Sequence, residues 1–224
     1  MSRKKVYFVS GIDTGAGKSY ATGYIAAQWR AKGLNVITQK LIQTGCEGIS
    51  EDIAIHRRIM GIDFLPEDHD YTTCPIRFSY PASPDLAARL EGHKVDLRDA
   101  DRATQILVNN YDTVLIEGAG GLMVPIEGFF TILDYVERRG FPVILVTNPR
   151  LGSVNHTLLS LEACRQRSVE VDILAYNLHF ETSPEITADT GRLLQSYLNE
   201  HFPQCEFMEV PFQGIGEIGE AERS

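Results

Sequence analysis

Lys18 and Ser19 lie side by side just after a glycine-bearing loop, Gly11-Ile-Asp-Thr-Gly-Ala-Gly17, which itself follows the apolar run Val6–Val9. An ammonium and a hydroxyl in that setting suit phosphate chemistry. Gly11, Gly15 and Gly17 allow the backbone to bend so that several N–H groups converge on one anion, with no Cβ in the way. The free amides of a following helix add a positive dipole end. Lys18 can then reach the outer phosphates as a point charge, and Ser19 can offer its oxygen to magnesium. The stock phosphate loop has four residues between its first glycine and the Gly-Lys pair, whereas Gly11 to Gly17 encloses five. An apolar strand before the loop and an amphipathic helix after it set this apart from a chance Gly-Lys-Ser.

Other candidates stand where apolar runs end. Glu117 follows Val114-Leu-Ile116 and precedes Gly118-Ala-Gly-Gly121. A carboxylate placed so can be a second acidic magnesium ligand, with small residues letting the chain pass close to a phosphate. Lys40 closes the run Val36–Gln39, and Asp52 opens a helical pattern, where a carboxylate is favoured by the helix dipole alone. Thr44, Asn155 and Asn177 are individually at home in turns and caps. Asn177 lies past a strand, where a side-chain amide can read the edge of an adenine.

The elements that must position these residues alternate. Strands are expected at Val6–Ser10, Val36–Gln39, Val114–Ile116, Pro142–Thr147, Asp172–Tyr176 and Glu206–Val210. Helices are expected at Tyr20–Lys32, Asp52–Met60, Asp85–Glu91, Leu97–Asn110, Thr131–Arg139, Val154–Gln166 and Glu185–Glu200. Ser83-Pro84 and Ser183-Pro184 each have the form of an N-cap followed by a first-turn proline. Residues 62–82 carry three prolines and little periodicity, and read as an irregular excursion. The alternation predicts an α/β fold, a P-loop-type, mainly parallel sheet with helices on both faces, and ligands beyond the carboxyl ends of its strands.

The 224 residues suit a single domain, with an acidic tail from about residue 213. A net charge of −9 argues against nucleic-acid or anionic-membrane partners, which demand clustered Lys and Arg. No run approaches the ~20 apolar residues of a membrane span. Four scattered cysteines without metal-ligand spacing predict free thiols in a reducing cytoplasm. Residue by residue, the reading ends at an α/β enzyme using magnesium and a nucleotide, with a small anionic or polar second substrate.

Taken together, several segments resemble the dethiobiotin synthetase family from end to end. They are Gly11–Ser19, Lys40-Leu-Ile-Gln-Thr-Gly45, Glu51-Asp52, Ser83-Pro84 with Ala87-Ala88, Glu117–Gly121, Pro142–Val146, Leu151-Gly-Ser-Val-Asn-His156 and Asn177. The resemblance implies a homodimer with a seven-stranded, mainly parallel sheet per subunit. It implies ATP- and Mg2+-dependent carboxylation of 7,8-diaminononanoate with CO2 or bicarbonate, followed by phosphorylation of the carbamate and closure of a ureido ring. By position, Lys18 and Lys40 would neutralise the transferring phosphoryl group. Thr14, Gly15, Ala16, Gly17, Lys18, Ser19 and Tyr20 would wrap the nucleotide together with Gly118, Ala119 and Gly120. Ser19, Asp52 and Glu117 would hold magnesium. Asn177 would read adenine beside Val210-Pro211-Phe212. Thr44 would touch the carbamate, and Asn155 the substrate carboxylate across the dimer.

Three places depart from the family pattern: Asp85 where His is common, Leu41 where Pro is usual, and Thr147-Asn148-Pro149-Arg150. All are expected toward the substrate side, which leaves open a synthetase diverged toward a related diamine. A partner-regulated switch ATPase of related fold would carry a lysine where this chain has Asp13. An amide-forming ligase would need an attached glutaminase domain, for which the chain is short. A pure binding module is disfavoured by two lysines and three potential metal ligands expected at one sheet edge.

Overall fold

Six strands, the inner ones buried along most of their length and the edge strand at Glu206–Val210 largely exposed, form one sheet in which every neighbouring pair is parallel. In the computed structural model, which describes residues 6–180 and 183–212, these are β1 (Val6–Gly11), β2 (Val36–Lys40), β5 (Thr113–Gly121), β8 (Val143–Thr147), β9 (Val171–Asn177) and β10 (Glu206–Val210). Their order is β10-β9-β8-β1-β5-β2. The near-continuous Val, Ile and Leu runs are what a sheet covered on both faces requires. Alternate side chains divide between the two faces. Phe8, Val114, Ile116 and Leu145 pack with α5 (Leu97–Asn110), α6 (Ile132–Arg139), α7 (Ser153–Gln166) and α8 (Pro184–His201). Tyr7, Val9, Leu115 and Ile144 pack on the opposite face, against α1 (Lys18–Ala31) and Met60 of α2 (Glu51–Met60).

The seven strands implied by resemblance become six in the main sheet among the described residues. Two small ladders lie outside it. β3 (Ile42–Thr44) pairs in parallel with β4 (Ile76–Phe78), and β6 (Pro125–Glu127) pairs antiparallel with β7 (Phe130–Thr131). Residues 62–82 are thus less irregular than expected, since they contain α3 (Pro66–His69) as well as β4. Strands of two or three residues are too short to show a period. β5 also corrects an expectation, because it runs four residues past Glu117 rather than ending there. Gly118–Gly121 can extend because β1 lies alongside, with Gly11 opposite Gly121. Ser83 occupies the N-cap of α4 (Pro84–Leu90), but its side chain makes no capping hydrogen bond; Ser183 does cap α8, accepting from the Ile186 amide. The acidic tail lies outside the described residues.

Register brings the functional edge together. Glu117 lies opposite both Val9 and Lys40, Gly11 is opposite Val146, and Val210 is opposite Asn177. On the α1 face, Gly23 allows α2 to approach closely: a Cβ there would lie 3.2 Å from the His56 Cα and 3.0 Å from Ile59 Cβ. The Ser50 hydroxyl caps α2 by accepting from the Ile53 amide, and this places Asp52 in the first turn.

Behind that face lies a buried ion pair. Arg57 donates to both Asp68 oxygens, at 2.8 and 2.7 Å, and both residues are almost wholly buried. Burial acts to raise the Asp68 pKa, but the Arg57 guanidinium outweighs it and holds the carboxyl below its ordinary value. The pair therefore stabilises in full above the unfolded value near 3.8, and that contribution is lost as pH falls through the lower folded value. Asp68→Asn leaves Arg57 charged and unpaired in the interior. It is expected to lower unfolding free energy by about 3–5 kcal/mol, read by thermal or denaturant melting. A variant melting like the parent would contradict this.

Candidate active site

The phosphate loop is a single turn of 3-10 helix, Thr14–Ala16, closed by Gly17 at φ 81° as the N-cap of α1. Gly17 is required twice over. Its φ is left-handed, and a Cβ would come 2.2 Å from the Asn177 amide nitrogen. Asp13 accepts from the Thr14 amide at 2.6 Å and sets the start of the turn. Lys18 Nζ folds back on the loop, donating to the Asp13 and Thr14 carbonyls at 3.1 and 3.3 Å. Burial lowers its pKa, and the nearby Lys40 charge acts in the same direction against Glu117, Asp52 and Asp13. Lys18 is thus an ammonium held by neutral carbonyls, which an anionic phosphate can draw away.

Lys40 is held differently. Its Nζ lies 2.5 Å from Asp52 Oδ2 and 2.9 Å from Glu117 Oε1, and donates to the Gly118 carbonyl at 3.2 Å. Burial works against its charge, but Glu117 and Asp52 overcome that and raise its pKa. Burial likewise opposes ionisation of Glu117, and Lys40 with His56 outweighs it, so the carboxyl lies far below its ordinary range.

The Ser19 hydroxyl oxygen lies 2.7 Å from Asp52 Oδ1 and 3.0 Å from Glu117 Oε1. A hydroxyl has one hydrogen, so the two carboxylates must share it, and a bound cation would serve all three oxygens at once. Three hard oxygen donors on three different elements suit magnesium, and no soft or nitrogen ligand competes among them.

A cavity of about 860 Å³ opens over this cluster. It is lined by Thr14, Gly15, Gly17, Lys18, Ser19 and Tyr20 from the loop and α1, and by Lys40, Thr44 and Asp52 from the β2 side. Glu117, Ala119, Gly120 and Phe212 complete the set expected from sequence. Ala16, within the loop, and Val210 are fully buried. Gly118 contributes its carbonyl to Lys40, and the Pro211 carbonyl accepts from Tyr20 at 3.0 Å. A neighbouring hollow of about 960 Å³ shares His179, Phe180 and Phe212 but carries Arg192 and Glu209 rather than the lysine–carboxylate cluster.

Asn177 and Asn155 both lie outside the lining of this cavity. The Asn177 amide donates to the Ala16 and Gly17 carbonyls at 3.3 and 3.4 Å, and its oxygen accepts from the His179 amide at 3.1 Å. It is fully buried and clamps the phosphate loop from below. Asn155 is exposed in the first turn of α7 and does not line the cavity of its own subunit. The departures from the family pattern also divide. Leu41 is fully buried in the core, and Asp85 accepts from the Gly128 amide at 3.1 Å, tying α4 to the β6–β7 turn. The Arg150 guanidinium stands over the Phe180 ring at 5.4 Å and close to Gly15 of the phosphate loop.

Sequence reasoning missed His179 and Phe180, which line the cavity. His179 stacks on Tyr20 at 4.8 Å and lies 4.9 Å from Phe212, forming an aromatic shelf. Their signal was position, two and three residues after Asn177 at the carboxyl end of β9. His56, fully buried with Nε2 2.7 Å from Glu117 Oε2, was also missed.

A parallel sheet whose central strand feeds a glycine loop into α1, with a serine and two carboxylates converging beyond it, defines a P-loop-type nucleotide-binding α/β protein. Residues 5–200 match the family model described as an AAA domain. The chain is 47% identical over 203 residues to ATP-dependent dethiobiotin synthetase BioD 2 of Pasteurella multocida, covering 91% of this chain and 95% of that one. Over 221 residues it is 45% identical to ATP-dependent dethiobiotin synthetase BioD of Chlorobaculum tepidum, covering 98% and 92% of the two. A third relative, ATP-dependent dethiobiotin synthetase BioD 2 of Haemophilus influenzae, is 52% identical over 173 residues, covering 77% and 91%. The chain belongs to the ATP-dependent dethiobiotin synthetase family, whose members are ATP-dependent ligases. Among the described residues, no helix is long and apolar enough to cross a membrane.

Proposed function

We propose that this chain converts 7,8-diaminononanoate, CO2 and ATP to dethiobiotin, ADP and phosphate. The observation that carries the reading is the meeting of Lys18, Lys40, Ser19, Asp52 and Glu117 around one cavity in a member of this family. One amine of the substrate takes up CO2 and loses a proton to give a carbamate. A carbamate oxygen, already anionic, attacks the γ-phosphorus of ATP and ADP leaves. The second amine then attacks the carbamoyl carbon, closing the ureido ring and expelling phosphate.

No general base is needed at the phosphoryl step, because the attacking oxygen carries charge. Repulsion between anions is the obstacle, and catalysis is positioning and electrostatics. Lys18 moves from loop carbonyls to the phosphoryl group, and Lys40 stays anchored by Asp52 and Glu117 at the point where carbamate and phosphate meet. Ser19, Asp52 and Glu117 hold magnesium, which when bound neutralises charge on the nucleotide phosphates. The backbone amides of residues 15–20 cradle those phosphates. Tyr20, Phe212 and the His179 shelf border the base with Val210 and Pro211 behind them. Asn177 serves the nucleotide chiefly by holding the loop, and reads adenine only by releasing a loop carbonyl. Thr44 faces the carbamate end.

Asn155 fits the substrate carboxylate only if a second subunit brings it to the neighbouring cavity. Leu151, Leu159 and Met123, all exposed apolar side chains near the start of α7 or the hollow beside it, support a homodimer through this face. Sedimentation as a monomer at assay concentration would remove that role. Four free cysteines suit a reducing cytoplasm.

The test uses magnesium-ATP, 7,8-diaminononanoate and [13C]bicarbonate. Dethiobiotin one mass unit heavy is expected, with one ADP formed per product. ATP hydrolysis without labelled product would overturn the reading.

A further inference from the structure

The buried polar chain behind Glu117 serves no step described so far. His56 Nε2 lies 2.7 Å from Glu117 Oε2, and Nδ1 lies 3.1 Å from the Thr38 hydroxyl. That hydroxyl also accepts from Arg57 Nη1 at 2.8 Å, and Arg57 is paired with Asp68. Asp68 accepts from the Thr73 hydroxyl at 2.7 Å, and the Thr73 carbonyl accepts from the Lys40 amide at 2.7 Å. The circuit begins at the carboxylate that faces the cavity and returns to the lysine that pairs with it. Glu117, His56, Thr38, Arg57, Asp68 and Thr73 are each no more than 2% exposed.

The hydrogen count fixes how the ring is used. A guanidinium only donates, so Arg57 takes a lone pair of Thr38 and leaves that hydroxyl its single hydrogen. Every polar atom gains a partner when Thr38 donates to Nδ1 and His56 donates through Nε2 to Glu117. The opposite neutral tautomer would set a lone pair against a carboxylate oxygen at 2.7 Å. The geometry points to His56 as a positioning residue that holds Glu117 by Oε2, so that Oε1 stays turned toward Ser19 and Lys40 where the metal is to be bound. The inference rests on the magnesium role given to Glu117 above, but not on the identity of the second substrate. Partners of this kind behind a metal ligand are worth about 10–100-fold in metal affinity or activity.

Two polar replacements separate positioning from packing. A glutamine at 56 can extend its amide to Glu117, whereas an asparagine stops short of Glu117 and reaches only Thr38. Mn2+ is titrated by electron spin resonance into protein with ATP and no diamine, beside melting curves and steady-state kinetics. His56→Asn is expected to bind Mn2+ about 10–100-fold more weakly and to lose kcat, with the ATP KM changed far less. His56→Gln is expected to keep most of the metal affinity. If His56→Asn does not fold, Thr38→Val against Thr38→Ser makes the same comparison, the valine weakening Mn2+ binding and the serine retaining it. Folded His56→Asn with parental Mn2+ affinity would overturn the inference, as would equal losses in the two His56 variants. A parent that binds no Mn2+ in the presence of ATP would overturn it with the metal role itself. Weakened Mn2+ binding in a protein that makes no dethiobiotin would leave this inference standing and remove only the assigned reaction.

Discussion

Lys18→Ala is expected to lower kcat by about 10²–10³-fold while ATP still binds, the range measured for removing one preorganised charge-stabilising donor. The reason lies in how Lys18 is held. Its ammonium rests on two loop carbonyls, at 3.1 and 3.3 Å, and has no carboxylate within its own hydrogen bonds. Releasing it toward a phosphoryl oxygen replaces two neutral acceptors with an anionic one. In the proposed reaction that exchange gains most when negative charge is gathering between carbamate and γ-phosphate, and less in the bound ground state. The loss should therefore fall on kcat more than on the ATP KM. Near-parental turnover, or a defect confined to KM, would show that Lys18 only binds nucleotide. Burial lowers the Lys18 pKa, and an anionic phosphate beside it acts in the opposite direction, favouring the charged form.

Glu117→Gln is expected to be nearly inactive and less stable by about 3–5 kcal/mol, since it leaves a buried Lys40 with one carboxylate fewer and removes a proposed metal ligand. The sign of the pH effect follows from both partners. Glu117 is depressed below its ordinary 4.5, so its contribution is full above that value and is lost as pH falls through the folded pKa. Lys40 is raised above 10.5, so its contribution is full below that value and is lost as pH rises through the folded pKa. The pair thus stabilises between about pH 4.5 and 10.5, and Glu117→Gln should flatten the acid limb of the stability profile. Melting temperatures measured from pH 3 to 8 check it. A variant as acid-sensitive as the parent would mean that another carboxylate governs acid unfolding.

Much of this cluster could be read from the chain alone, for a physical reason. In a parallel sheet the carboxyl ends share one edge, so an apolar run followed by Lys40, or a run broken by Glu117, announces a residue at that edge. Ser19 and Lys18 were legible because the glycine loop leaves few conformations to its successor. What remained hidden depended on pairing or on distant groups. Gly118–Gly121 look like a turn in isolation and become strand only because β1 lies beside them. β3 and β4 are three residues each, which is below any detectable period. Asn177 was read as facing a ligand, yet the loop it clamps is some 160 residues away in sequence. His56 had a faint signal, one helical turn after Asp52 on the same face. Its partners Glu117 and Thr38 come from two strands whose adjacency only the fold supplies.

In the proposed reaction a carbamate oxygen is brought to the γ-phosphorus at the edge where the two lysines meet. Freshly dissolved 18O-labelled bicarbonate, mixed rapidly with enzyme, magnesium-ATP and 7,8-diaminononanoate in unlabelled water, reports this directly. Because the attacked phosphoryl group later leaves with the carbamate's oxygen, the released phosphate is predicted to carry one 18O atom. Phosphate whose new oxygen comes from the unlabelled solvent would contradict the account.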